Sequence, residues 1–230
     1  MNQEARIGKR IFLVFAMALS VVMVSFGHAF AVNLLQNPHF NGDLSGWNAG
    51  TSTYDAALDA TGVSGSGSAQ SVFNATQPST LLSIDQCLTN FVPGQSYYFG
   101  GKVYMPSGQS VQGTGAVVVS WFTGNDCATG FISYAQVGTS FGDPTGIWTP
   151  LDHAQVTIPA NAASVWVSGQ NGIAASGTHQ TNFDDMYFSD TPPTPPAPVP
   201  AMDEWGMMLF VVLAASGSVY YLRKQRRAKS

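Results

Sequence analysis

Ser96-Tyr97-Tyr98-Phe99-Gly100-Gly101-Lys102-Val103-Tyr104-Met105 carries the alternation that decides the fold. In an extended chain successive side chains point to opposite faces, so Tyr97, Phe99 and Val103 share one side and Tyr98, Lys102 and Tyr104 the other. The lysine ammonium has to reach solvent, which makes the second set the outer one. Pro93-Gly94 just ahead of the run supplies a turn.

The same reading extends in both directions. Upstream, Leu81 to Leu88 is a strand carrying Cys87, and the glycine-serine turn in Thr61 to Asn74 leads into another. Asn33 to Trp47 is a short apolar start followed by an Asn/Gly/Asp turn. Downstream, Ala116 to Phe122 (AVVVSWF) is apolar on both faces and reads as a central strand, with Trp121 in the core. Gly124-Asn125-Asp126 is a turn before Cys127, and Phe131 to Val137 is a further strand. Trp148 to Ile158 ends in a strand that points Ala154, Val156 and Ile158 inward, with Trp148 assigned to the core. Ala163 to Gly169 turns Val165 and Val167 inward and Trp166 outward, and Asn182 to Phe188 (NFDDMYF) closes the set. No run in this part of the chain sustains a helical period, and no repeat is visible. Short strands divided by turn clusters predict an all-β fold, an antiparallel β-sandwich of jelly-roll type.

The ends of the chain read differently. Arg6, Lys9 and Arg10 precede an apolar run, Ile11 to Phe26, and Ala29-Phe30-Ala31 forms an A-x-A site. Residues 1–31 are therefore expected to be a signal peptide for Sec export, leaving Val32 as the mature N-terminus. Residues 32–190 form the sandwich ectodomain, 159 residues, enough for one real core. A Pro-rich linker follows at 191–200, an extended spacer by composition. The last stretch, 201–230, holds the 18-residue apolar run 205–222 and a basic end, Arg223 to Lys229. As a helix the run would be ~27 Å long, enough for a single transmembrane helix. The basic cluster should stay cytoplasmic, which predicts a protein anchored at least transiently in an inner membrane and then found at the cell surface or outside the cell.

In that last stretch Val199-Pro200-Ala201-Met202-Asp203-Glu204-Trp205-Gly206 is followed by a short span and an Arg-rich terminus. The layout resembles the IPTL-CTERM class of bacterial sorting signals, a relative of PEP-CTERM. Pro200, Glu204, Trp205 and Gly206 match the class, and Val199, Ala201 and Met202 depart conservatively. The resemblance implies a tail recognised, and cut or retained, by export and sorting machinery.

Charge narrows the partners. Between residues 32 and 190 the only lysine or arginine is Lys102, against ten aspartates and no glutamate. Such a surface repels nucleic acid, whose binding needs cations at the phosphates, and excludes that class of partner. Cys87 and Cys127 are the only cysteines, and in an exported domain they are expected to pair. Closing that loop of 41 residues stabilises by roughly 4 kcal/mol in the chain-entropy view.

The opening NLLQNPHFNGDLSGW, the SGSGSAQ turn, QCL, PGQSYYFGGKV, WFTGNDC and the closing NFDDMYF run in an order similar to that of galactose-binding-like jelly rolls, including many bacterial carbohydrate-binding modules. That resemblance implies a structural Ca²⁺ where the first and last strands meet, held by Asp184 and Asp185, with Asn41 standing where the family often has a glutamate. With Met186 and Phe188 in the core, strict alternation directs Asp184 inward, where it either meets a cation or caps a turn. For a sugar ligand the candidates are Trp166 as a stacking platform, then Tyr98 and Tyr104 with Lys102 between them as a donor. The leading expectation is a non-catalytic carbohydrate-binding or adhesion domain with a polysaccharide or other glycan as partner. A structural matrix or envelope protein that binds other proteins is the second, and a small glycan hydrolase the weakest. No pair of carboxylates is singled out for glycoside cleavage, and His39, His153 and His179 lie too far apart to read as a metal motif.

Overall fold

The computed structural model describes residues 32–152, 155–192 and 215. The signal peptide, the linker beyond residue 192 and the sorting tail with its apolar run therefore lie outside the described residues, Ala215 excepted.

Ten strands follow one another: β1 (Thr53–Asp55), β2 (Ser68–Ala75), β3 (Ser79–Leu88), β4 (Ser96–Tyr104), β5 (Gly113–Phe122), β6 (Phe131–Gly138), β7 (Trp148–Asp152), β8 (Val156–Thr157), β9 (Ser164–Ile173) and β10 (Gly177–Ser189). They make two antiparallel sheets. One runs β1-β2-β10-β4-β7, with β8 also paired to β4, and the other runs β3-β9-β5-β6. The chain is an all-β, two-sheet antiparallel sandwich.

Alternation built the layers. Tyr97, Phe99 and Val103 of β4 are buried, as are Val117, Val119 and Trp121 of β5, Val165 and Val167 of β9, and Phe183, Met186 and Phe188 of β10. These inner faces form one core, into which Phe40 and Trp47 of the N-terminal segment also pack. The central position of AVVVSWF holds, since β5 has β9 on one side and β6 on the other. Val118 is buried although it belongs to the outer set, which explains why the run looks apolar on both faces. Trp121 lies in the core, while Trp148 is half-buried against Tyr104 (ring centroids 5.5 Å). Ile158 is buried as expected, and Ala154 lies outside the described residues. The strand expected to end that segment is split in two, β7 and β8.

One expectation fails through a bulge. Phe183 pairs with Val103 and Asp184 with Lys102, but the register then shifts, and Tyr187 pairs with Gly100. Asp185 sits at φ 50°, in the left-handed region. The inserted residue lets Phe183, Met186 and Phe188 all face the core, so Asp184 shares the outer face with Lys102 rather than pointing inward. It is nonetheless fully buried, and its carboxylate accepts from the Ala60 N–H in the connection between β1 and β2.

Cys87 and Cys127 are joined, with Cα atoms 5.8 Å apart. The bridge ties β3 to the turn after β5, and Cys127 sits at φ 53° with its N–H donated to Ser164 Oγ.

Candidate functional site

The outer face of the β3-β9-β5-β6 sheet is a ladder of four strands whose rows follow from pairing. Tyr134, Ser120, Trp166 and Cys87 form one row, then Gln136, Val118, Ser168 and Asp85, then Gly138, Ala116, Gln170 and Leu82. Thr114, Gly172 and Thr80 end it, and Phe122 with Phe131 begins it. From Thr114 to Phe122 the face extends ~27 Å, at ~3.4 Å per residue. That length accommodates an oligosaccharide rather than a single ring.

One end of the face is aromatic. Phe122 lies 6.4 Å from Trp166 and 5.8 Å from Phe131, centroid to centroid, so three rings cross β9, β5 and β6 in sequence. Phe122 is buried, Trp166 is half-buried, and Phe131 and Tyr134 are 58 % and 59 % exposed. The other end is a polar cavity of about 480 Å³ whose walls include Thr80, Thr114, Gln136, Gln170, Ser140 and Phe141. Phe141 reaches it from the loop between β6 and β7, where it is 53 % exposed. Amides and hydroxyls beside flat rings are the groups a pyranose needs: an apolar face to stack on and fixed partners for its hydroxyls.

The face carries one carboxylate, Asp85, nearly buried and bonded by the Asn48 side chain at 3.0 Å. Burial raises its pKa, tempered by the neighbouring Trp166 indole and by Asn48. Asn48 and Asp85 also exchange both backbone hydrogen bonds, which pins the N-terminal segment along β3. Asp85 and the disulfide at Cys87 thus flank Trp166 from β3 and fix the strand beneath the indole.

The structure separates the residues singled out for sugar binding. Trp166 belongs to the ladder just described, whereas Tyr98, Lys102 and Tyr104 lie on the outer face of the opposite sheet. Tyr104 packs on Trp148, and the Lys102 ammonium is 3.0 Å from Asp185 Oδ2. Phe122, Phe131, Tyr134 and the glutamines Gln136 and Gln170, which share this face with Trp166, were not singled out from the sequence. Their signal was present in the period of two: residues 134 and 136 alternate with the half-buried Ala135 and Val137.

The acids expected to hold calcium are placed where the N-terminal segment meets β10, with Asn33 Nδ2 donating to Met186 O and Met186 N–H to Pro38 O. Asp185 Oδ1 is 3.1 Å from His39 Nδ1, and Oδ2 takes the Lys102 ammonium. His39 foremost, then Lys102, holds the Asp185 carboxyl below its usual range, and the same contact raises His39. Asp184 accepts from the N–H groups of Ala60 (2.8 Å) and Asp185 (2.6 Å), and burial pushes its pKa up to about 7. Asn41 is exposed, its N–H donated to Asn37 Oδ1. An ammonium and an imidazole already occupy the Asp185 oxygens, so this donor set does not fit a calcium ion as it stands. His179 is elsewhere, buried on the inner face with Nδ1 2.9 Å from Asn171 Oδ1, and burial lowers its pKa. His153 lies outside the described residues.

No family model matches the chain, and no curated protein matches it. Among solved structures it is similar to TmCBM61 in complex with β-1,4-galactotriose, at 16 % identity, TM-score 0.43, over 68 % of this chain and 97 % of that one. It is also similar to the CBM22-2 xylan-binding domain from Paenibacillus barcinonensis Xyn10C, at 13 % identity, TM-score 0.48, over 70 % and 99 %. A third similar structure is the enzymatically active domain of bacteriophage CBA120 tailspike protein 4, at 12 % identity and TM-score 0.48. There the match spans 68 % of this chain and 21 % of the tailspike chain.

Proposed function

We propose that the sandwich is a non-catalytic carbohydrate-binding domain that takes a glycan chain along the outer face of β3-β9-β5-β6. The observation that carries this is the run of rings Trp166, Phe122 and Phe131 on the same face as a cavity walled by Gln136, Gln170, Thr80 and Thr114. Exposed rings mark a contact surface, here Phe131 and Tyr134 with Trp166 half-exposed beside them, and the amides and hydroxyls of the cavity continue the same face. Glycoside cleavage needs two carboxylates flanking the bond, and the rows of this face supply only Asp85, which is buried and held by Asn48. The protein around this domain is proposed to be exported by Sec, held by the 205–222 helix and handled by sorting machinery through Pro200, Glu204, Trp205 and Gly206. The Pro-rich linker would then hold the domain away from the membrane.

Retention of the purified full chain on a panel of insoluble and immobilised polysaccharides tests the reading. Retention on at least one glycan, released by its soluble oligosaccharide, is the expected result. Passage through every matrix would refute it and leave a second reading, a matrix protein that binds other proteins. That reading rests on β6, an edge strand with Phe131 and Tyr134 exposed.

A further inference from the structure

The outer face of the other sheet carries a junction that glycan binding does not use. Four segments meet there: Lys102 of β4, Asp184 and Asp185 at the bulge of β10, His39 of the N-terminal segment, and Ala60 between β1 and β2. The one lysine or arginine between positions 32 and 190 lies at this point. Its ammonium is 3.0 Å from Asp185 Oδ2 and donates to the Ala60 carbonyl at 3.3 Å. Ala60 therefore uses both backbone groups here, its N–H going to Asp184 and its carbonyl to Lys102. Two carboxylates stand at the spot, and the Asp59 charge nearby adds to the upward push on the Asp184 pKa that burial leads.

Carboxylate and carbonyl oxygens drawn from separate segments are the ligands a hard divalent ion would take. A divalent ion entering now would have to expel the ammonium or lie beside it, against like charge. We propose that the Lys102 ammonium is the resident cation of this junction, filling the place a hard metal ion would hold, so that the N-terminal segment, the β1–β2 connection and β10 are locked together without one. A lysine in this position must come from a strand that faces the acids across the sheet. The backbone pairing of Lys102 with Asp184 meets that condition, and the left-handed Asp185 brings its own carboxylate to the ammonium while Asp184 is held by backbone N–H groups. The proposal is independent of what the opposite face binds.

Thermal unfolding of the full chain, after chelation and with calcium added back, tests it on wild type and on Lys102→Met. Wild type should unfold at the same temperature with chelator and with millimolar calcium. Lys102→Met should unfold roughly 5 °C lower in chelator. Part of that loss should return with calcium, since the vacated oxygens are then open. A saturable rise of the wild-type midpoint with calcium would overturn the proposal, and that arm needs no variant. An unchanged midpoint in Lys102→Met, or a loss that calcium leaves untouched, would overturn it as well.

Discussion

At the scale of single residues the domain owes more to where a side chain is confined than to its type. His179 and His39 show this. His39 is partly exposed beside Asp185, which raises its pKa. His179 is 1 % exposed, its ring against Gly113 and its Nδ1 at Asn171, and burial lowers its pKa. A group that resists protonation in the folded state gives stability that is full above its unfolded pKa of ~6.5 and is lost as pH falls below it. The stability difference between wild type and His179→Gln should therefore shrink as pH drops from 7.5 to 5, measured by urea unfolding at each pH. A difference that stays constant would show that His179 titrates alike in both states. Gly113 adds a steric prediction, since a Cβ there would collide with the His179 ring. Gly113→Ala should cost about 1–3 kcal/mol in the same urea assay, the range for overpacking a filled interior.

At the scale of elements, the strands were legible because their inner faces are mostly apolar and their turns are marked by glycine, asparagine and proline. Ser96 to Met105 and Ala163 to Gly169 gave away both face and boundary, within the few residues by which β9 runs on to Ile173. Two features were not legible. The bulge at Asp185 breaks the period of two, and nothing local in Phe-Asp-Asp-Met announces that the second aspartate adopts positive φ. Which sheet a strand joins is the other: Trp166 and Tyr104 both read as outward rings, but facing outward from opposite layers is a property of topology, not of either strand. The pairing of the aromatics Phe122 and Phe131 across β5 and β6 was hidden for the same reason. Two element-level outcomes follow. Reducing Cys87–Cys127 frees the turn after β5 from β3 and should lower the unfolding temperature by roughly 10 °C, from ~4 kcal/mol at ~2–4 °C per kcal/mol. An equal midpoint with and without reductant would mean that the bridge adds nothing. Gly100 lies where β4 meets β7, and a Cβ there would run into the Leu151 carbonyl oxygen and the Tyr187 ring. Gly100→Ala should therefore loosen that edge, read as faster amide exchange in β7 with β9 unchanged.

At the scale of the whole molecule the charge distribution and the two outer faces divide the work. Residues 32–190 carry ten aspartates against one lysine, and that lysine is engaged with Asp185. Self-repulsion of such a surface is screened by salt, so the unfolding temperature should rise between 10 mM and 300 mM sodium chloride. A fall would point to ion pairs, not repulsion, as the dominant surface term. One outer face holds the cation junction that fastens the ends of the domain. The other presents rings and amides with no cation along its rows, and it is the face proposed to take a glycan.

The most direct test of that division compares single substitutions on the two faces against a retained polysaccharide. Affinity electrophoresis of the full chain with Trp166→Ala, Gln136→Ala and Tyr104→Ala, each checked for native unfolding behaviour, separates them. Loss of retardation of at least tenfold in Trp166→Ala, a smaller loss in Gln136→Ala and wild-type retardation in Tyr104→Ala is the result this account predicts. Retention that survives Trp166→Ala but fails in Tyr104→Ala would place the ligand on the opposite sheet and contradict it.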